Sequence, residues 1–246
     1  MSEQLYDEIG EAFEGFKNLP LARYGEVAGT LALVGDVKGR SVLDLACGTG
    51  FYSRELKRRG ASRVLGVDIS GEMIAVANTI EEAEPLGIEY AVGDVAELPR
   101  YEEPFEVGLA VQAFNYAPDV ATVERMCRAI HANLVPGADF FLFVMSPEYD
   151  FSGPSLEKYG FLCDKLGENE IGTHIRLTAL LDPTPVSFEA TVPSREVYEN
   201  SLTAAGFTDV TWVPLEISEA GVREHGAEYW EAFLANPALT LLRCRA

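Results

Sequence analysis

Along the chain, short apolar runs alternate with stretches whose apolar residues recur at helical spacing. The first clear run, 42–46, is closed by the tight turn Gly48-Thr49-Gly50, and residues 52–59 then read as a short helix ending at Gly60. The next run, 64–67, ends in Asp68. Ser70 is placed to N-cap a helix over 71–83, with Glu72 in its first turn. Runs at 88–92 and 105–111 predict two more strands. Pro118 or Asp119 starts a helix that reaches about Leu134 and is stopped by Pro136-Gly137, and the strongly apolar 140–145 predicts a fifth strand. Later, Ser194 caps a helix running to Ala205, with Gly206 after its end. Runs 207–217 and 239–244 predict two final strands that pair at one end of the sheet, one of them antiparallel. A helix over 226–235 carries Tyr229, Trp230 and Phe233 on one side. This alternation predicts an α/β domain: a mostly parallel sheet of seven strands with helices on both faces.

Two stretches depart from the rhythm. Residues 1–36 form a helical preface. Tyr6, Ile9, Phe13 and Phe16 share one apolar face, Pro20 interrupts, and a second run over 22–33 brings Tyr24, Val27, Leu31 and Val34 forward. Residues 146–193 are rich in Tyr, Phe, Pro and Gly and read as an insertion holding a strand pair near 172–179 and 185–192. The whole chain, 1–246, is expected to form a single domain, with 1–36 as a lid and 146–193 covering the ligand edge of the sheet.

Composition narrows the function. The 246 residues carry a formal charge of −20, from 39 acidic and 19 basic side chains. That field repels phosphate backbones and anionic membranes, so nucleic acid and membrane are poor partners; its plain consequence is solubility. The first residues, MSEQLYDEIG, have no signal-peptide pattern, and the four cysteines lie far apart without metal-type spacing. They read as reduced thiols of a cytoplasmic protein. No compact acidic-plus-histidine cluster suggests a metal.

The chemistry concentrates at the first glycine turn. A dinucleotide fingerprint requires G-x-G-x-x-G, but Gly48 and Gly50 are followed by Ser53, and no GK[ST] follows to make a P-loop. Asp44 lies inside the strand just below the turn. A carboxylate there repels a pyrophosphate and suits a ligand with a positive or zwitterionic end; its plainer alternative is to cap the turn.

The stretch D44-L-A-C-G-T-G50 resembles the first motif of the class I S-adenosylmethionine-dependent methyltransferases, and the order of elements fits that family most clearly over 37–145. The resemblance implies a Rossmann-like sheet and S-adenosyl-L-methionine as cofactor. It places Asp44, Ala46, Gly48, Gly50 and Tyr52 around the methionine part, Asp68 on the ribose hydroxyls, and Ile69 and Met73 against the adenine. Gly93, Asp94 and Val95 would meet the adenine edge, through the Asp94 carboxylate and the Val95 N–H. The segment from Gln112 to Tyr116 would lie where cofactor and acceptor meet, with Gln112 on the cofactor and Tyr116 at the reacting centre. Met73 can equally be core, and Asn115 and Tyr116 ordinary loop residues. The opening YDEIGEAFEGFK and the following LPLARY are similar to the toxoflavin-pathway N-methyltransferases. That similarity implies Tyr6, Phe16 and Tyr24 closing over the cofactor and Arg23 meeting its carboxylate, against core packing of the same aromatics.

The expected reaction is in-line transfer of a methyl group to a nitrogen or oxygen of a small, flat or apolar acceptor, by a monomer or homodimer. Tyr149, Phe151, Tyr159, Phe161 and His174 either line the acceptor pocket or form the insertion's own core. A hydroxyl acceptor needs a base. His131 reads as structural and His225 sits before the last helix, which leaves His174, although no carboxylate partner is visible in the sequence. The competing readings are a nicotinamide-dependent oxidoreductase and a catalytically silent scaffold that binds the cofactor.

Overall fold

The computed structural model describes residues 16–181 and 184–246. A seven-stranded sheet has the order β3-β2-β1-β4-β5-β10-β9. Its strands are β1 (Ser41–Leu45), β2 (Arg63–Asp68), β3 (Glu89–Val92), β4 (Phe105–Val111), β5 (Leu134–Met145), β9 (Thr208–Pro214) and β10 (Leu239–Arg245). Neighbours from β3 to β5 run parallel, and β10 is antiparallel to both β5 and β9. Chain order reverses between β1 and β4, so a crevice opens at their C-terminal ends, where open α/β sheets bind ligands.

Strand periodicity sorts the side chains between two faces. Leu43 and Leu45 of β1 pack with Phe140, Leu142, Cys127 and Ile130 on the side of α4 (Val120–Ala132) and α5 (Arg195–Ala205). Val42 packs on the opposite side with Leu31, Val34, Tyr52 and Leu56, from α1 (Ala28–Val34) and α2 (Phe51–Arg58). Asp44 falls on the Val42 face by the period of two, beneath the first turn of α2. Helix α3 (Gly71–Ala83) follows β2, and the Ser70 hydroxyl accepts from the Met73 amide at its start.

Several elements depart from the sequence expectation. Pro20 begins a helical stretch, and residues Ala22–Val27 are wound as a π-helix whose Tyr24 carbonyl accepts from the Ser218 amide at 2.9 Å. The face expected at Tyr6, Ile9 and Phe13 lies outside the described residues. Pro136-Gly137 do not precede β5 but lie within it, at an irregularity where the pairing with β4 shifts between Phe105 and Val107. The insertion is a three-stranded antiparallel sheet, not a strand pair: β6 (Phe161–Glu168), β7 (Gly172–Ala179) and β8 (Val186–Pro193). Strand β9 stops at Pro214, and a short helix α6 (Glu219–His225) precedes α7 (Ala227–Ala235).

The small sheet turns Ile175, Ala179, Ala190 and Val192 into a core shared with Phe143, Met145, Trp230 and Phe233. Its β8 lies against the turn at Phe114–Tyr116, so the insertion abuts the C-terminal end of β4. Among the described residues, no helix is long and apolar enough to cross a membrane.

Candidate functional site

The turn after β1 is held by side chains from neighbouring strands. Ala46, Gly48 and Gly50 all have left-handed backbones, with φ of 54°, 55° and 82°. Tyr90 of β3 reaches over β2 to this turn, its hydroxyl 3.5 Å from the Gly50 carbonyl. It crosses at Gly66, where a Cβ would lie 2.7 Å from the Tyr90 ring, and a Cβ on Gly50 would lie 2.2 Å from its hydroxyl. Glycine is therefore required twice, once for φ and once for the close approach. Reading the sequence missed Tyr90; the signal was the lone glycine inside the apolar run VLGVD.

Asp68 ties the turn to β2. One carboxylate oxygen accepts from the Gly48 amide at 2.8 Å and the other from the Ser70 amide at 2.9 Å. Burial pushes its carboxyl above the usual range, against the pull of these N–H groups. A carboxylate oxygen accepts more than one bond, so each retains capacity toward a ligand diol. Beside it, Ile69 is 70% exposed and Val92, at the end of β3, is 60% exposed. Asp94 is exposed, and its carboxylate accepts from the Ala96 amide at 2.8 Å, capping the 3-10 turn Val95–Glu97. Gly93 donates to the Asp68 carbonyl at 2.9 Å. Two apolar side chains left open to water between two carboxylates form a surface suited to a flat, amine-bearing ring.

At the end of β4, Gln112 also has a left-handed backbone, with φ 54°. Ala46 and Gln112 end adjacent strands and are strained in the same sense, the kind of outlier that clusters at ligand sites. The Gln112 amide donates to the Phe143 carbonyl at 2.8 Å, and the Asn115 side-chain amide donates to the Gln112 side-chain oxygen. Asn115 is buried, and its own side-chain oxygen has no hydrogen-bond partner among the described residues. Tyr116 is 47% exposed.

Asp44 is buried below the turn and accepts from the Ser53 hydroxyl at 2.6 Å. Burial raises its carboxyl to about 7; the Ser53 bond opposes this and Asp68 adds to it. Tyr52, the second residue of α2, donates to Glu26 at 3.0 Å, and Glu26 also accepts from Lys17. Glu26 and Lys17 are functional candidates that the sequence reading did not single out; a glutamate inside the apolar run of the first helix was the available sign.

The structure does not bring every expected residue to this edge. Tyr24 is buried against α6 and α7: its hydroxyl donates to Glu224, and its ring meets His225 and Trp230 edge-on. Arg23 is exposed, with its guanidinium over the Tyr24 ring. Met73 is 3% exposed and packs beneath the helix start. His174 shares with Arg176 the face of β7 opposite Ile175, and its Nε2 lies 3.4 Å from Glu189. His131 meets Phe207 edge-on and His225 stacks on Tyr229. Tyr159 and Phe161 are buried in the insertion's core, whereas Tyr149 and Phe151 are only partly buried and pair edge-to-face at 5.0 Å. Among the described residues, no group of three or more His, Cys, Asp or Glu is arranged to hold a metal.

Comparison with known proteins bears on this edge directly. Residues 42–137 match a family model described as a methyltransferase domain. That stretch is less than half of the chain and holds β1 to the start of β5. The chain is 30% identical over 113 residues to the ubiquinone biosynthesis O-methyltransferase of Coxiella burnetii, an overlap of 46% of this chain and 47% of that one. The chain thus spans about half the length of the curated relatives it matches. A solved S-adenosylmethionine-dependent methyltransferase from Mesorhizobium loti superposes with a TM-score of 0.64 at 19% identity, covering 94% of this chain and 100% of that one. The [4+2]-cyclase SpnF gives 0.64 at 18% identity, covering 98% and 94%. These two likenesses establish the fold. The matched methyltransferase region includes the glycine turn, Asp68, Asp94 and Gln112, and ends within β5.

Proposed function

We propose that this methyltransferase domain binds S-adenosylmethionine along the C-terminal edge of β1 to β4 and transfers its methyl group to a nitrogen or oxygen of a small molecule. The observation that carries this reading is the Asp68 carboxylate, fixed by Gly48 and Ser70, next to the exposed pair Ile69 and Val92. A ribose diol fits the carboxylate. A purine fits the apolar pair, with the Asp94 carboxylate and Val95 amide at its edge. Asp44, Ala46, Gly48, Gly50, Tyr52 and Gln112 surround the place left for the amino-acid end. When bound, the sulfonium supplies an activated methyl group. The chain's own work is then to orient the acceptor and keep water out.

The acceptor is assigned to the space between the turn at Phe114–Tyr116 and the insertion that abuts it, and Tyr149 and Phe151, at the start of the insertion, offer partly exposed rings as candidates for its wall. Such a wall favours a flat or apolar molecule. The outward placement of His174 argues against it as a base, and a neutral amine acceptor needs none. The likeness to toxoflavin-pathway enzymes rests largely on residues outside the described region and stays a narrower form of the same proposal.

Calorimetry on the full chain with S-adenosylmethionine, S-adenosylhomocysteine and NAD tests the reading. Binding of the two sulfur compounds without NAD is expected, and methyl transfer to an aromatic or heterocyclic amine or phenol should follow. NAD binding alone would overturn it in favour of an oxidoreductase. Cofactor binding with no turnover across a broad acceptor panel would favour a silent scaffold.

A further inference from the structure

Asn236, in the loop between α7 and β10, grips the segment that carries Tyr149 and Phe151. Leu239 of antiparallel β10 pairs with Met145, so that loop lies at the same end of the sheet as the exit from β5. Phe143 of β5 pairs with Val111 at the end of β4. Residues 146–153 therefore emerge at the edge assigned to the ligands. The Ser146 amide donates to the Ala238 carbonyl at 2.8 Å and joins the two loops at their roots.

The Asn236 carboxamide bonds twice to the backbone of one residue. Its oxygen accepts from the Asp150 amide at 3.0 Å and its nitrogen donates to the Asp150 carbonyl at 2.8 Å, 86 positions away in the chain. Asn236 is 8% exposed, so water competes little for either bond. Capping of α7 does not use this side chain, since the Asn236 backbone amide donates to the Phe233 carbonyl. Gly153 is fitted to the same contact: a Cβ there would lie 2.6 Å from the Asn236 side-chain nitrogen and 3.1 Å from the Asp150 carbonyl oxygen. The Asp150 carboxylate is spent locally, accepting from the Ser152 amide at 2.8 Å and hydroxyl at 2.7 Å. The clamp thus fixes the backbone of the residue between Tyr149 and Phe151, whose rings meet edge-to-face at 5.0 Å.

We propose that Asn236 is a positioning residue for the methyl acceptor, acting through the Tyr149 and Phe151 rings, whose direction it sets; this rests on the acceptor site assigned above. The backbone bonds of Tyr149 and Gly153 run within the segment, to Ser146 and Asp150, and shape it without tying Asp150 to a neighbour. Loss of the carboxamide leaves the Asp150 amide without that partner and its carbonyl with one bond fewer. Both groups then turn toward water, and the flanking rings move with them.

The test uses the full chain with S-adenosylmethionine and three flat acceptors, catechol, aniline and indole, and follows acceptor KM, kcat and S-adenosylhomocysteine affinity by calorimetry. Asn236→Ala, which removes two hydrogen bonds, should raise acceptor KM about tenfold, with kcat and S-adenosylhomocysteine affinity each changed less than twofold. Gly153→Ala crowds the carboxamide from the other side and should give the same split. Asn236→Asp keeps an acceptor for the Asp150 amide and should recover part of the loss. In a Tyr149→Ala/Phe151→Ala background, Asn236→Ala should add less than twofold to KM, because the rings through which it acts are gone. A full tenfold rise in that background would overturn the proposal, and so would equal weakening of cofactor and acceptor. If Asn236→Ala does not fold, Gly153→Ala and Asn236→Asp decide by the same criteria. Methylation with unchanged KM in these variants would sink this inference alone. Binding of S-adenosylhomocysteine with none of the three acceptors methylated by the unaltered chain would remove the aromatic-acceptor reading, and this inference with it.

Discussion

Asp44 offers a test in which stability and binding move in opposite directions. Burial takes its carboxyl from an ordinary value of 3.8 to about 7. The folded chain therefore holds a proton over a range of pH in which the unfolded chain has released it. Stability must then fall as pH rises from about 4 to about 7, and level off above that. A displacement of this size corresponds to about 4 kcal/mol at its full extent, of which about 2.5 kcal/mol develops between pH 5 and 8. Asp44→Asn keeps an acceptor for the Ser53 hydroxyl, which donates at 2.6 Å, and removes the titration. The variant should gain on the parent by about 5–10 °C in Tm as the comparison moves from pH 5 to pH 8, at about 2–4 °C per kcal/mol for a chain of this size. Thermal melts across that range without ligand provide the measurement. Near pH 8, where the parent carboxyl is ionised, the variant should bind S-adenosylhomocysteine more weakly because the site has lost its negative pole, and the difference should shrink toward pH 5, where the parent carboxyl is itself neutral. A stability gap that does not change with pH would show that Asp44 is ionised throughout, and the reasoning from burial would fail.

Other outcomes follow from the geometry of the same edge. Asp68→Ala should weaken cofactor binding by more than tenfold in calorimetry, since it removes both the diol contact and the anchor of the Gly48 amide; unchanged affinity would take Asp68 out of the site. Gly50→Ala should lower Tm and cofactor affinity together, because a left-handed alanine costs about 1–2 kcal/mol and its Cβ would meet the Tyr90 hydroxyl at 2.2 Å. An unchanged melt would mean that Tyr90 moves aside freely. His174→Ala should change kcat less than twofold with amine or phenol acceptors, as its ring faces Glu189 and Arg176 on the outer side of β7; a hundredfold loss would return it to the site as a base.

What the sequence made legible was local. Asp68 and Gly93-Asp94 were placed at strand ends because an apolar run stops at each, and the Ser70, Asp119 and Ser194 caps are present because each needs only a side chain and an amide three residues on. The mostly parallel sheet of seven strands followed from alternation, and its last two strands do pair at one end, although the order of the strands was not read from the sequence. Contacts distant in sequence were hidden. Tyr90 supports Gly50 across an intervening strand, and Tyr24, read as a lid residue, is held by Glu224, 200 positions away. Strand β6 was missed because Asp164, Lys165 and Glu168 give it the polarity of a loop; it is an edge strand whose consecutive residues Asp164, Lys165 and Leu166 are all exposed. The extension of β5 through Pro136-Gly137 was missed because a stop signal at a bulge looks the same as one before a strand.

The boundary of the family match carries an argument of its own. It runs from Val42 to Gly137 and therefore contains the glycine turn, Asp68, Asp94, Gln112 and the turn at Phe114–Tyr116. It stops before Ser146 and the small sheet, and it begins after Lys17, Glu26 and the π-helix. A cofactor that is the same in every member imposes the same requirements on the strand ends, whereas acceptors differ. The surfaces that choose the acceptor should then lie in the flanks, and the structure brings the later flank to this edge, with β8 against the turn at Phe114–Tyr116. Substitutions at Tyr149 and Phe151 are therefore expected to change acceptor KM while leaving S-adenosylhomocysteine affinity within twofold. If Tyr149→Ala weakened the cofactor as much as the acceptor, the division of the edge between the two ligands would be wrong, and the insertion would have to be counted as part of the cofactor site.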